Sequence, residues 1–203
     1  DMKLEDGSAR EPRQIVSHDG KVYVTSYDDT VTRIDTLTLE IDTSIEVGLD
    51  PDGIVVSNNK LYVANSGGLN YLNGYDNTVS VINLNNFTEE NKIEVGVNPT
   101  NLQADSRGNI YVSVLGNYFD ILPSFKRIDR TTGEVTTIEE VTSPSRFIIS
   151  DNKAYIVNGS YGAPYRVMVY DCQEQKLLTD NFVTDGTEIS TIHNITRDEK
   201  NGD

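Results

Sequence analysis

One short pattern returns four times along this 203-residue chain, and an internal repeat constrains a fold more tightly than any local propensity. Each copy opens on a proline: Pro12-Arg13-Gln14-Ile15, Pro51-Asp52-Gly53-Ile54, Pro99-Thr100-Asn101-Leu102 and Pro144-Ser145-Arg146-Phe147. These prolines stand 39, 48 and 45 residues apart. A tyrosine in the second apolar run of each copy (Tyr23, Tyr62, Tyr111, Tyr155) stands 39, 49 and 44 apart. Two markers that drift together define a unit.

Within a copy the apolar residues fall in four short runs rich in Val, Ile, Tyr and Thr, as half-buried strands require. We label these strands A to D. The A strands begin at the prolines. The B strands are KLYVAN (60–65) and its counterparts at 20–25, 109–114 and 153–158; the C strands lie at 30–35, 78–84, 125–129 and 166–171. The D strands are expected at 44–48, 92–96, 134–138 and 175–179. Turns rich in Asn, Asp and Gly join them, among them His18-Asp19-Gly20, Ser57-Asn58-Asn59 and Ser150-Asp151-Asn152; such residues tolerate the positive φ of tight hairpins. Asp35, Asn83, Asp129 and Asp171 close the C strands and are expected to cap the next turn. No segment carries a sustained helical period. Four-stranded repeats of this length are the signature of propeller blades. The prediction is an all-β β-propeller of four-stranded antiparallel blades at 12–48, 51–96, 99–139 and 144–183, with the first strand of a fifth within 185–203.

The bulk numbers exclude some functions. Net charge is −15, from 32 acids against 17 bases, and an anionic surface repels phosphate backbones, so nucleic acid is not an expected partner. No apolar run reaches the length of a transmembrane helix. No signal peptide opens the sequence, so an export signal is expected to lie outside it. The single cysteine, Cys172, has no partner for a disulfide and no His-plus-acid pattern beside it.

Strand direction locates the functional face. In an antiparallel meander the B–C and D–A connections fall on one rim and the A–B and C–D turns on the other. Length varies in the B–C loops. Ser26–Asp29 is short, whereas 66–77 (SGGLNYLNGYDN), 115–124 (LGNYFDILPS) and 159–165 (GSYGAPY) are long. The first long loop carries Asn70, Tyr71, Asn73 and Tyr75; the second carries Asn117, Tyr118 and Phe119; the third carries Tyr161 and Tyr165. Asp52, Thr100 and Arg146 join them from the D–A side. Tyrosine offers a large rigid contact surface with a hydroxyl, and Asn adds adaptable polar contacts. Asn70, Tyr71, Asn73, Tyr75, Asn117, Tyr118, Phe119, Tyr161, Tyr165 and Arg146 are therefore the expected ligand-binding residues. The competing expectation is that these loops only pack on one another.

Catalytic equipment is sparse. The two histidines, His18 and His193, fall in an A–B turn and in the incomplete fifth copy. Asn65, Asn101 and Asn158 are candidates to approach a central channel, but no Glu joins them at matching positions. No metalloprotease, nucleophile-elbow or phosphate-loop motif occurs. No catalytic residue, metal or cofactor is expected.

The second strands read YVTS (23–26), YVAN (62–65), YVSV (111–114) and YIVN (155–158), and two are preceded by Val47-Gly48-Leu49-Asp50-Pro51 and Val95-Gly96-Val97-Asn98-Pro99. This pattern resembles the YVTN β-propeller repeat family over nearly all of residues 12–203. The chain is also similar to surface lipoprotein propellers of gut Bacteroidota, some of which capture cobalamin at the outer membrane and pass it to a transporter. That resemblance implies a seven-bladed ring, of which this sequence supplies four full blades, in the Gram-negative cell envelope, at the outer-membrane surface or in the periplasm. It implies a non-enzymatic protein taking a corrinoid, another small molecule or a glycan, with an outer-membrane transporter as partner. A propeller enzyme, lyase or lactonase, and a protein-interaction scaffold stand as alternatives. A fold of this kind hosts many roles.

Overall fold

A computed structural model of the chain describes residues 7, 9–72, 74–160 and 164–198. The described residues form strands and no helix. Sixteen strands form four sheets, each a four-stranded antiparallel meander. The first sheet holds β1 (Pro12–His18), β2 (Lys21–Ser26), β3 (Thr30–Asp35) and β4 (Ile41–Glu46), and the second β5 (Pro51–Ser57), β6 (Lys60–Asn65), β7 (Thr78–Asn83) and β8 (Thr88–Glu94). The third holds β9 (Pro99–Ala104), β10 (Ile110–Val114), β11 (Ser124–Ile128) and β12 (Val135–Thr137), and the fourth β13 (Pro144–Ser150), β14 (Lys153–Asn158), β15 (Arg166–Asp171) and β16 (Lys176–Thr179).

The turn residues explain the meanders. Asp19 and Gly20 (φ 46° and 70°), Asn58 and Asn59 (49° and 60°) and Asp151 and Asn152 (49° and 58°) form two-residue A–B turns with both centres left-handed, the geometry that matches strand twist. On the same rim, at the C–D turns, Asp35, Asp129 and Asp171 each accept two backbone N–H bonds at 2.8–3.1 Å from the second and third residues beyond. Asn83 accepts one, from Asn85. These caps hold the carboxyls of Asp129 and Asp171 below the usual carboxylate range, chiefly through those backbone bonds. Asp35 is lowered first by the Lys21 ammonium, 2.7 Å away, and then by its capping bonds.

The chain divides into two compact units, 1–102 and 103–203. In the first unit, Tyr23 and Val31 of the first sheet pack with Ile54, Leu61, Val63, Ile82 and Phe87 of the second. In the second unit, Tyr111 and Phe125 of the third sheet pack with Phe147, Ala154, Ile156, Met168 and Tyr170 of the fourth. Of the repeated tyrosines, Tyr23, Tyr62 and Tyr111 are buried. Tyr155, at the same register position as Tyr23, is only half-buried, against Phe182.

Three expectations need correction. The D strands of the first two sheets start and end earlier than predicted, at Ile41–Glu46 and Thr88–Glu94. Val47 and Val95 leave the ladder because their N–H groups bond to the B–C loop carbonyls of Asp29 and Asn77, each at 2.9 Å. Asp52, Thr100 and Arg146 lie within β5, β9 and β13, not in D–A loops. No fifth-copy strand forms across 185–198, where one bridge, Tyr165 to Ile189, is the recorded pairing.

Candidate functional site

The first strands of three sheets carry a feature that sequence reading missed. In β1, β5 and β13 the register slips between the opening proline and the third residue after it, so Pro12 faces Ser26 while Ile15 faces Val24. The extra residue is a β-bulge, which re-aims side chains and leaves backbone groups to be satisfied elsewhere. Thr25, fully buried, does this in the first unit: its hydroxyl accepts from Gln14 N (3.1 Å) and donates to the Asp52 carbonyl (2.7 Å). The Asp52 carboxylate in turn accepts from Gln14 Nε2 at 3.1 Å. Gly53 lies so close to β9 that a Cβ there would collide with the Thr100 carbonyl oxygen. A proline opening each copy was the visible signal; the bulge itself leaves no mark in hydrophobic periodicity.

The last residue of the YVTN-like tetrapeptide is structural too. Asn65 is fully buried; its Oδ1 accepts from Gly48 N (3.1 Å) and its Nδ2 donates to Thr78 Oγ1 and Ser80 Oγ, both at 2.9 Å. Asn158 accepts from Ser143 N at 2.7 Å. Both asparagines fasten a D–A loop to the end of a B strand, which removes these two from the residues expected to approach a channel. No group of three or more metal-binding side chains occurs among the described residues.

Within each unit the B–C and D–A loops bond to one another, so they share a rim. In the first, Ser66 N bonds to Asp50 O and Gly67 N to Leu49 O, while Asn98 N bonds to Asp76 O. Asp76 Oδ2 accepts from Leu49 N (3.0 Å) and Asp50 Oδ2 from Leu69 N (3.0 Å). Burial pushes the Asp50 carboxyl above its ordinary range, with the nearby Asp29 charge adding to the effect. In the second unit Gly159 N bonds to Ser143 O.

The predicted binding residues fall into four groups. Tyr71, Tyr118 and Phe119 are exposed, at 63%, 71% and 90%. Asn70, Tyr75, Tyr165 and Arg146 are half-buried, and Tyr165 packs on Gly159 and pairs with Ile189. Asn117 serves its own loop: Oδ1 accepts from Phe119 N, Asp120 N and Ile121 N at 2.9–3.0 Å, and Nδ2 donates to Asp120. Asn73 and Tyr161 lie outside the described residues. Sequence reasoning also passed over the aliphatic neighbours Leu72 and Leu122, exposed at 83% and 76%.

The 115–123 loop is tightly built. Asn117 N bonds back to Ile121 O, and Gly116 (φ 69°) sits where a Cβ would meet the Ile121 carbonyl oxygen. Tyr118 is held left-handed at φ 60°, a conformation bulky residues seldom adopt and one that persists where surrounding bonds over-determine it.

A cavity of about 450 Å³ lies away from this rim, on the fourth sheet, between Ile148, Tyr155, Val167 and Phe182, with Arg197 also in its lining. Cys172, on the other face of that sheet, is buried, and burial pushes its thiol up to about 12, which leaves it unreactive as a nucleophile.

No family model matches the sequence, and no curated protein matches it. Solved structures do. Hydrazine synthase of Kuenenia stuttgartiensis matches 87% of this chain with a TM-score of 0.71 at 18% identity, and the computationally designed Ika8 protein matches 88% with a TM-score of 0.64 at 15% identity. The chain spans about half the length of each, 49% and 51%. At such identities the likeness concerns the fold, which is a propeller-like all-β one.

Proposed function

We propose that the protein is a non-enzymatic β-propeller segment in which each unit offers the aromatic residues of its own elongated B–C loop to a ligand. The observation that carries this reading is the exposure of Tyr71, Tyr118 and Phe119 on loops whose backbones are held by internal hydrogen bonds. Aromatic residues serving as a miniature core would be covered; these are not. Rigid aromatic surface on a fixed loop lowers the ordering cost of binding. A small molecule or glycan with a broad apolar face suits such a surface. A corrinoid delivered to an outer-membrane transporter in a bacterial cell envelope, with these blades part of a seven-bladed ring, is the most specific version and rests on the resemblance of the repeat.

The test is titration of the protein with a panel of corrinoids and oligosaccharides, read by native mass spectrometry. Replacing Tyr71, or Tyr118 together with Phe119, by serine should weaken binding about tenfold per aromatic lost, with unchanged thermal unfolding. Absence of any bound species at micromolar ligand removes the small-molecule reading. Exposed Leu72 and Leu122 favour a second reading, in which the same loops seat on a partner protein.

A further inference from the structure

We infer that Asp29 and Asp50 form a proton-operated latch on the 66–72 loop, gripping the loop in acid and loosening it as the pair ionises. The first unit builds the same junction twice. Val47-Gly48-Leu49-Asp50-Pro51 and Val95-Gly96-Val97-Asn98-Pro99 form the two D–A turns, and Asp28-Asp29-Thr30-Val31 and Asp76-Asn77-Thr78-Val79 end the B–C loops that these turns meet. Val47 N bonds to Asp29 O and Val95 N to Asn77 O, each at 2.9 Å. Asp50 and Asn98 are both buried and both left-handed, at φ 43° and 62°. Asp29 and Asn77 are both half-buried. The junctions thus share one frame. At the two facing positions the first carries carboxyls where the second carries amides, so the frame itself does not require acids.

The acid pair sits where the chain grips the loop. The Asp50 carbonyl accepts from Ser66 N (3.3 Å) and Ser66 Oγ (2.7 Å), and its carboxyl oxygen accepts from Leu69 N (3.0 Å). Asp29 Oδ1 accepts from Asp50 N at 2.8 Å, which brings its carboxyl against residue 50. Negative charge prevails there: Asp29 and Glu11 both act on Asp50, and Asp76 of the loop accepts from the neighbouring Leu49 N. The cations of this region are engaged. Arg10 pairs with Asp28 (3.1 Å), Arg13 lies over the Tyr27 ring (4.5 Å) near Asp52 (3.9 Å), and Lys92 donates to the Val47 carbonyl (3.4 Å).

A buried carboxyl beside like charges favours its protonated form. Burial is the largest influence on Asp50; the Leu69 and Asn70 N–H groups favour the carboxylate and do not overcome it. Opening the loop returns the carboxyl to water, where it ionises more readily, so the closed loop holds the proton more tightly. Closure is therefore favoured in acid and is lost as pH rises through the ionisation of the buried group. The protonated carboxyl keeps a carbonyl oxygen that can accept from Leu69 N. Tyr71 rides on this loop. Any effect on ligand affinity rests on the proposed ligand reading, whereas the latch itself is observed without a ligand.

Hydrogen exchange on the whole chain, resolved to single amides by NMR, tests this. It compares wild type with the double variant Asp29→Asn, Asp50→Asn, which copies the second junction into the first. Comparison at equal pH cancels the chemical exchange rate. At about pH 7 Gly67 and Leu69 should exchange about threefold or more faster in wild type than in the variant, and the rates should converge by about pH 4. Val95, Gly96 and Asn98 should exchange alike in both proteins at either pH. Circular dichroism melts establish that the variant is folded; should it fail to fold, Asp50→Asn alone replaces it. A ratio at Leu69 that is indifferent to pH, or that grows in acid, overturns the inference. So does a change of equal size at Val95 and Asn98, which is global rather than local opening.

Discussion

Replacing Asn65 by alanine tests how the rim is fastened to the sheets. The side chain is fully buried and both its amide oxygen and its amide nitrogen are hydrogen-bonded. Its loss strands two groups. The Gly48 N–H is buried with Asn65 as its partner, and the Ser80 hydroxyl is fully buried. Thr78 keeps its bond to Asp76 Oδ1 at 2.7 Å and so loses less. A buried polar group left unsatisfied costs about 1–3 kcal/mol, and the hydroxyl can rotate to reduce its share, so the sum is about 3 kcal/mol. Asn158→Ala provides the internal scale. Asn158 and Ser143 are half-buried and water can replace their single bond, so about 1 kcal/mol is expected. Urea unfolding followed by far-UV circular dichroism gives both values, and hydrogen exchange at Gly48 gives the local opening. Equal costs for the two substitutions, or a cost for Asn65→Ala below about 1 kcal/mol, would refute the assignment of these asparagines as unequal loop fasteners.

Two further outcomes follow from the same rim. Gly53→Ala places a Cβ against the Thr100 carbonyl, backbone against backbone, and should cost about 2 kcal/mol or more, whereas Gly133→Ala, with open space around it, should cost only the left-handed penalty of about 1 kcal/mol; comparable denaturation midpoints would count against the close approach. The Asp50 carboxyl is raised above 3.8 by burial. The folded state therefore holds its proton more tightly than the unfolded chain, and its contribution to stability is present at low pH and lost as pH rises through the folded value. Asp50→Asn should accordingly gain stability relative to wild type on going from about pH 4 to pH 7; a difference that is flat or of opposite slope in pH-dependent melts would contradict this.

The sheets were legible because their determinants are local. Alternating apolar runs and Asn-Asp-Gly turns act over a few residues, and Asp19-Gly20 and Asn58-Asn59 adopt the left-handed turns their composition demands. The shared rim followed from strand parity alone. What remained hidden depends on partners distant in sequence. Asn65 looks like a candidate channel ligand until Gly48, Thr78 and Ser80 are seen around it. Asn117 looks like a contact residue until its carbonyl is found filled by three loop N–H groups. Exposure was equally unreadable: Tyr71 and Tyr75 sit four residues apart in one loop, and only the first stands out in solvent.

The extra residue in β1, β5 and β13 has a consequence for how this repeat can diversify. A one-residue slip ordinarily inverts every side chain beyond it, but here the slip is confined between a proline and an apolar anchor, with the ladder regular on the far side. The enclosed dipeptides, Arg13-Gln14, Asp52-Gly53 and Ser145-Arg146, differ in charge and size from copy to copy while their frame does not. Each of these three copies thus owns a two-residue slot near its D–A rim in which exposed positions can change without disturbing the register that holds the sheet, Gly53 excepted because its backbone abuts that of Thr100.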